Sequence, residues 1–206
     1  MKEAIPRKTI YRLSLYKRCL ERLDHSEGAT VSSDTLAKLA GVKPTQLRKD
    51  LGCCGQFGKR GLGYGIADLH AHISEILGDA KFQPVILVGA GNLGSALLRY
   101  EEGFAQEGFE IAAAFDASPK DEPSGAVKTP IFPLARMRRF IAEHRVKMAI
   151  LCVPGAAAQD VCNSLVSAGI LAILNFAPII LHVPAEVIVN NVNLAIELES
   201  LSYFIQ

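Results

Sequence analysis

The beginning of the chain carries apolar side chains at helical spacing. Leu13, Tyr16, Leu20 and Leu23 recur every three or four positions, which predicts an amphipathic helix over residues 9–23 that packs by one face. Basic side chains fill other positions around the same helix.

A pair of short helices is predicted within residues 33–51. Ser32 or Ser33 can cap the first helix. Gly41 can form the turn, and Pro44 suits the first turn of the second helix. Two helices joined this tightly form a helix-turn-helix, whose second helix enters the major groove of DNA.

The second helix of this pair offers side chains for DNA contact. Gln can read adenine and Arg can read guanine through paired hydrogen bonds, whereas Lys more often neutralises phosphate. A glycine-rich loop over residues 55–65 follows; it resembles the wing of a winged helix, which can press cations onto a phosphate or into a minor groove. The predicted contacts are Thr45, Gln46, Arg48, Lys49, Lys59 and Arg60. The alternative is a solvated helical hairpin followed by a flexible loop.

Beyond residue 80 the pattern changes to short apolar blocks separated by helical stretches. Strands are predicted over residues 85–88, 111–115, 147–153, 170–176 and 187–192, and helices over 133–144 and 155–168. This alternation predicts an α/β fold, a Rossmann-like doubly wound parallel sheet. A last helix is predicted over residues 194–204; its apolar side either packs on its own chain or covers a partner subunit.

A glycine-rich turn follows the first of these strands. Glycines at such a turn let backbone N–H groups meet a pyrophosphate at a helix N-terminus. About twenty residues further on, an acid ends the next strand, where a carboxylate can bind the adenosine ribose and favour NAD over NADP. The predicted cofactor-binding residues are Gly89, Ala90, Gly91, Asn92, Leu93, Gly94 and Asp116. The alternative is a glycine turn with no ligand.

The carboxyl ends of the later strands extend this predicted site. Ligands of open α/β sheets lie at that edge of the sheet, so we expect residues 175–178 to face the nicotinamide half of the cofactor. The additional predicted residues are Val153, Pro154, Asn175, Phe176, Ala177 and Pro178.

Charge divides the chain as the apolar pattern does. Residues 1–78 hold 13 basic and 8 acidic side chains, a net charge of +5, and residues 79–206 hold 9 and 13, a net charge of −4. A basic module joined to a mildly acidic one indicates contact with nucleic acid. The length of 206 residues suffices for two small domains.

Several other classes are disfavoured. No apolar run is long enough to span a membrane and the first residues lack a signal-peptide core, so we expect a cytosolic protein. Five cysteines without CxxC spacing predict neither a disulfide framework nor a zinc site.

Over nearly its whole length the chain resembles the bacterial Rex redox-sensing transcriptional repressors. The resemblance rests on residues 42–50, 57–64, 89–94, 114–116, 174–178 and 197–204. It implies a homodimer with a winged-helix DNA-binding domain (1–80), a Rossmann-like NAD(H)-binding domain (81–192) and a C-terminal dimerisation helix (193–206) swapped onto the partner. It also implies a palindromic double-stranded operator, bound when NAD⁺ dominates and released when NADH rises, and it adds Tyr64 to the DNA contacts.

The resemblance further implies a polar cluster that senses the nicotinamide. Its members would be Arg18, Tyr100 and the residue at position 193, where the family usually has Asp and this chain has Asn193. An Arg18–Asn193 contact would lack the ion pair, so we expect altered discrimination between NADH and NAD⁺. Tyr100 has the alternative interpretation of a packed surface tyrosine.

A second departure lies after the helix-turn-helix. Cys53 and Cys54 stand where the family commonly has aromatic side chains. Adjacent thiols near Arg48, Lys49 and Lys59 would have lowered pKa values and could respond to oxidants. Ordinary small packed residues are the alternative.

Two other function classes compete with a repressor. An NAD-dependent oxidoreductase with an accessory helical domain would need a general acid or base and a substrate pocket, and the sequence shows no Tyr-x-x-x-Lys pair and no catalytic-looking histidine. A CoA- or nucleotide-binding structural subunit is compatible with the glycine turn but leaves the basic helix pair unexplained. We therefore expect a protein that is not an enzyme.

Overall fold

The computed structural model describes residues 5–55, 57–58, 62–78, 82–119 and 128–205. The chain divides into two compact units, Met1–Lys81 and Phe82–Gln206. Each unit has its own apolar core.

The first unit is a helical domain with a two-stranded sheet. Its elements are α1 (Arg7–Glu21), β1 (Thr30–Val31), α2 (Ser33–Leu39), α3 (Pro44–Gly52), β2 (Tyr64–Gly65) and α4 (Ile66–Leu77). Strands β1 and β2 pair antiparallel, with Thr30 opposite Gly65 and Val31 opposite Tyr64. The helix pair α2–α3, with β1 before it and β2 after it in the chain, confirms the predicted winged helix-turn-helix. The two short strands were not predicted from the sequence, and no bounds were predicted for α4.

Local chemistry explains the tight α2–α3 connection. Ser32 is the residue that caps α2, since its Oγ accepts from the backbone N–H of Thr35 at 3.0 Å. Gly41 turns the chain with φ +66°, a conformation that favours glycine. Pro44 stands in the first turn of α3, where its missing N–H has no cost.

The second unit is a six-stranded parallel sheet covered by helices. Its strands are β3 (Gln83–Val88), β4 (Phe109–Asp116), β5 (Ile131–Pro133), β6 (Met148–Leu151), β7 (Ala172–Asn175) and β8 (Ile188–Asn191). Its α-helices are α5 (Asn92–Arg99), α6 (Glu101–Gln106), α7 (Met137–His144), α8 (Gly155–Ser167) and α9 (Leu194–Ser202). The strand order is β5-β4-β3-β6-β7-β8, which is the doubly wound Rossmann order with its switch point between β3 and β6.

Both faces of the sheet are covered, which explains the continuous apolar strands. Along β3, Ile86 and Val88 join one buried cluster, while Val85 and Leu87 join the other. Successive strand residues point to opposite faces, so a strand covered on both faces is apolar at every position. The predicted doubly wound α/β domain is confirmed.

The C-terminal segment does not pack on the described residues of its own unit. Each residue from 194 to 205 is exposed in the structure, including Leu194, Leu198 and Leu201 at 62–67%. The alternative of a self-packed terminal helix is therefore wrong for this chain.

Within the described residues, no group of three or more His, Cys, Asp or Glu side chains could hold a metal ion. Nor does any described helix have the length and apolar content needed to cross a membrane.

Candidate functional site

The glycine turn lies at the switch point of the sheet. Gly89 follows β3 with φ +98°, and a Cβ there would stand 2.6 Å from the carbonyl oxygen of Cys152. A Cβ on Gly94 would collide with the carbonyl oxygen of Gly89. Both glycines are therefore required for the close approach of β3, the first turn of α5 and the end of β6.

Gly91 differs from its neighbours. A Cβ at this position would have no atom within 4 Å, so packing within the chain does not require a glycine there. Gly91 is the N-cap residue of α5, and that helix has no side-chain cap. The N–H groups of its first turn therefore have no side-chain cap, and a phosphate is a suitable acceptor for them. Asn92 and Leu93 of this turn are exposed as well.

Asp116 at the end of β4 is tied to the glycine turn. Its Oδ2 accepts from the backbone N–H of Ala90 at 2.7 Å and its Oδ1 accepts from the N–H of Ser118 at 2.8 Å. Ser95 holds the same turn, since its Oγ donates to the Ala90 carbonyl at 2.9 Å. The predicted acid and the predicted glycine turn thus lie together at the carboxyl edge of the sheet.

The end of β6 forms the other side of this edge. The N–H of Cys152 donates to the Val88 carbonyl at 2.7 Å, and Val153 Cγ1 would lie 3.0 Å from a Cβ on Gly89. Pro154 is exposed and precedes the first residue of α8. The structure therefore brings Val153 next to the predicted glycine turn.

Asn175 was predicted to face the nicotinamide half of the cofactor, but its side chain is buried. Its side chain is 1% exposed; Nδ2 donates to the Ile179 carbonyl at 3.0 Å and to Asn191 Oδ1 at 2.8 Å. Its Oδ1 accepts from the N–H of Ala177 at 3.0 Å. The buried side chain of Asn175 thus holds the backbone of the following loop through hydrogen bonds to Ala177 and Ile179.

That loop places its residues unequally. Ala177 is buried and Phe176 is half-buried against the sheet. Pro178 is exposed, and its ring lies 3.6 Å from a Cβ that Gly155 would carry. Pro178 therefore lies over the start of α8, at the same edge as the end of β6.

The solvent face of α3 carries the predicted DNA contacts. Thr45, Arg48 and Lys49 are exposed, and Arg48 Nη1 donates to Ser33 Oγ at 2.8 Å, which joins α3 to the start of α2. Lys59 and Arg60 lie outside the described residues.

Tyr64 of β2 packs in the wing. Its side chain is half-buried, and its Cδ1 would lie 2.9 Å from a Cβ on Gly58, which has φ +78°. Burial raises the pKa of Tyr64, and nearby Arg48 opposes that rise. Arg48 of α3 is thus near enough to Tyr64 to act on it electrostatically.

A buried carboxylate joins α1 to α3, and sequence analysis missed it. Asp50 is 2% exposed, and Arg12 binds it through Nε at 2.5 Å and Nη2 at 2.7 Å. Tyr16 donates to it at 2.8 Å and Gln46 at 2.9 Å. Burial alone would raise the pKa of Asp50, but these hydrogen bonds outweigh it and lower the pKa to about 2.

The three residues of the implied redox cluster lie on three different elements: Arg18 on α1, Tyr100 after α5 and Asn193 before α9. Arg18 is exposed on α1. Tyr100 is 62% exposed, and its ring lies against Gly103 and edge-on to Phe104, with 5.4 Å between ring centroids. Asn193 caps α9, since its Oδ1 accepts from the N–H groups of Ala195 at 3.0 Å and Ile196 at 3.3 Å.

The paired cysteines make local hydrogen bonds at the end of α3. Their thiols donate within the same helical turn, Cys53 to the Lys49 carbonyl and Cys54 to the Asp50 carbonyl, each at 3.4 Å. Burial raises the pKa of Cys54, and neighbouring Cys53 and Asp50 raise it further. The expectation of a lowered pKa is therefore wrong for Cys54, chiefly because its thiol is partly buried.

Comparisons with known proteins follow the same division of the chain. A family model described as "Putative DNA-binding protein N-terminus" matches residues 4–52, and one described as "CoA binding domain" matches residues 81–179. The redox-sensing transcriptional repressor Rex of Pelotomaculum thermopropionicum is 45% identical over 199 residues, which cover 97% of this chain and 93% of that protein. This chain belongs to the Rex family.

Other Rex proteins and solved structures agree. The Rex repressor of Streptomyces coelicolor is 43% identical over 97% of this chain and 77% of its own length. The solved structure of RSP with β-NAD⁺ and operator DNA is 36% identical, with a TM-score of 0.89 over 98% of this chain and 93% of that chain. The structure of RSP with β-NADH has a TM-score of 0.85 at 35% identity, over 98% and 95%. These relatives are named as repressors, not as enzymes.

Proposed function

We propose that this Rex-family protein is a redox-sensing transcriptional repressor. It binds a palindromic operator as a homodimer when NAD⁺ dominates and leaves it when NADH rises. The observation that carries the proposal is the 45% identity to a Rex repressor over nearly the whole chain. The related RSP was solved with β-NAD⁺ and operator DNA, and separately with β-NADH.

The nucleotide is held at the carboxyl edge of the sheet. When bound, NAD(H) supplies the redox state that the protein reports. The open space above Gly91 and the uncapped N-terminus of α5 fit a pyrophosphate. Asp116 fits the adenosine ribose and disfavours a 2′-phosphate. The binding set we propose is Gly89, Ala90, Gly91, Asn92, Leu93, Gly94, Asp116, Val153, Pro154, Asn175, Phe176, Ala177 and Pro178, with Asn175 acting through the loop that it shapes.

Operator DNA is bound by α3 and the wing. The exposed stripe of Thr45, Arg48 and Lys49 is the face that enters the major groove. Gln46 at the edge of this stripe and Tyr64 beside Arg48 complete the described part of the surface. Lys59 and Arg60 of the wing contribute phosphate or minor-groove contacts.

Each part of the chain has its own proposed role. Residues 1–80 bind DNA, residues 81–192 bind NAD(H) and residues 193–206 hold the dimer together in the cytoplasm. The support for the last assignment is the exposure of Leu194, Leu198 and Leu201 along α9. An apolar helix face that the described part of its own unit leaves exposed is stabilised by burial against a second subunit, onto which α9 is swapped.

Redox control follows from linkage between the two sites. NADH and operator favour different dimer geometries, so each weakens the binding of the other by the same factor. Two recognition helices fit successive major-groove faces only at a separation of about one helical turn. A tenfold loss of DNA affinity requires only about 1.4 kcal/mol of coupling. Arg18, Tyr100 and Asn193 are the residues that we propose for the switch.

Fluorescence anisotropy of a labelled operator duplex tests this function. The duplex of the RSP complex serves as the probe, at fixed salt because phosphate contacts dominate affinity. Titration with NADH is expected to release the duplex, whereas NAD⁺ leaves it bound. DNA binding that responds to neither nucleotide would contradict the proposal, as would hydride transfer to a small substrate without DNA binding.

A further inference from the structure

The buried Asp50 carboxylate is saturated with donors. Arg12 and Tyr16 of α1 hold it together with Thr9, whose Oγ1 lies 3.2 Å from Asp50 Oδ1. The remaining donor is Gln46 Nε2 of α3, at 2.9 Å from Oδ1. Asp50 is therefore fixed by α1 and in turn fixes one side chain of the predicted recognition helix.

This arrangement decides which way the Gln46 amide faces. An ionised carboxylate can only accept hydrogen bonds, and the donors around Asp50 keep it ionised. The NH₂ group of Gln46 must therefore face Asp50, and a flipped amide would place two acceptors together. Among the described residues, no group donates to the Gln46 carbonyl. That carbonyl and the second N–H remain available.

The position of Gln46 makes this orientation relevant to DNA. It is half-buried in the first turn of α3, beside the exposed Thr45 and Lys49. The first turn of a recognition helix is the part that contacts base edges. A carbonyl and an N–H on one amide match adenine in the major groove. The N6 amine of adenine donates to the carbonyl, and its N7 accepts from the N–H.

We propose that Asp50 is a positioning residue that presets the Gln46 amide to read one adenine in each operator half-site. The inference rests on the proposed DNA-binding function. Holding the amide before contact avoids the entropy cost of ordering a glutamine side chain on binding. The buried network between α1 and α3 thus contributes to base preference as well as to the fold.

Selection from a duplex library with randomised half-sites tests the proposal on the full-length protein. The readout is the ratio of Kd values, at fixed salt, between the selected site and sites with one base pair changed. Wild type is expected to prefer adenine at one position of each half-site by at least about fivefold. Gln46→Ala is expected to abolish that preference, and Asp50→Asn to reduce it below about twofold. Substituting 7-deazaadenine, which lacks N7, is expected to weaken wild type and leave Gln46→Ala unchanged.

Matched measurements separate positioning from loss of stability. Ile73→Val removes one methylene from the buried core of the same unit and is expected to lower Tm while the base preference stays. If Asp50→Asn does not fold, NMR of wild type decides: the Gln46 side-chain amide is expected to be rigid in the free protein. A mobile amide, or an adenine preference that survives Gln46→Ala or Asp50→Asn, overturns the inference. Failure of wild type to select any sequence overturns the proposed function instead.

Discussion

The backbone N–H of Ala90 donates to the carboxylate of Asp116, with 2.7 Å between nitrogen and Oδ2. One side chain therefore anchors the glycine turn while standing where the adenosine ribose would lie. The acid that we propose to select the nucleotide thus also holds the turn that we propose to receive the pyrophosphate.

Replacement of Asp116 by Ala is expected to weaken NADH binding by at least about tenfold, which corresponds to about 1.4 kcal/mol. NADPH binding is expected to weaken less, because the like charge facing its 2′-phosphate is gone. Isothermal titration calorimetry with both nucleotides measures the two effects. Glu110→Ala changes an exposed acid at the other end of β4 and should leave both affinities intact. An unaltered NADH/NADPH ratio in Asp116→Ala would contradict this role.

Substitution of two neighbouring glycines is expected to have opposite consequences. Gly91→Ala should keep the Tm of wild type, since its Cβ meets nothing within 4 Å, yet weaken NADH binding by blocking the pyrophosphate. Gly94→Ala should lower Tm, because its Cβ collides with the Gly89 carbonyl. Differential scanning calorimetry and nucleotide titration separate the two. Full NADH affinity in a folded Gly91→Ala variant would show that the phosphate lies elsewhere.

Asn193→Asp is expected to change the discrimination between NADH and NAD⁺ without loss of the α9 cap. Asp and Asn are equally good N-cap residues, and a negative charge at a helix N-terminus is favourable. The variant restores the acid that the family usually has at this position. Calorimetric affinities for both nucleotides provide the measurement. If neither affinity changes, position 193 has no part in sensing.

Acid is expected to remove the stabilisation that Asp50 provides. Its pKa is about 2 in the folded protein and about 3.9 when unfolded. A lowered pKa stabilises the fold above the unfolded value, and this stabilisation is lost as pH falls towards the folded value. The contribution lost is about 2 kcal/mol. The Tm difference between wild type and Asp50→Asn should therefore shrink from pH 5 to pH 2, and a constant difference would contradict the network.

Leu198→Glu is expected to convert the dimer into monomers. Leu198 is 67% exposed on α9, and a charge there would have to be buried in the subunit contact. Ser200→Glu places the same charge on the opposite side of the helix and should leave the dimer intact. Sedimentation velocity distinguishes the two states. Dimers that persist in Leu198→Glu would assign the subunit contact to another surface.

Much of this fold follows from local rules. Continuous apolar runs predicted strands β3 and β4, and the glycine spacing placed the turn between β3 and α5. The strand β5 was missed because three residues, Ile131–Pro133, give too short a pattern.

The site was only partly readable for a different reason. The positions of Asp116 and Gly89 follow from chain order in a Rossmann fold. Asp50 is bound by side chains of α1 that lie 34 to 41 positions earlier in the chain. Asn175 is bound by Asn191, which lies 16 positions later. No local pattern marks such pairs. Asn175 was therefore predicted to face the ligand, and no role was predicted for Asp50. Both side chains are buried, where Asn175 holds the following loop and Asp50 joins α1 to α3.

In the function we propose, one molecule couples its NADH site to its DNA site, and reciprocal binding tests this coupling most directly. NADH affinity is measured by calorimetry with and without saturating operator duplex, and operator affinity with and without saturating NADH. Linkage requires the two ratios to be equal, and we predict that each ligand weakens the other by at least about tenfold, or about 1.4 kcal/mol. An NADH affinity that operator DNA leaves unchanged would contradict the account.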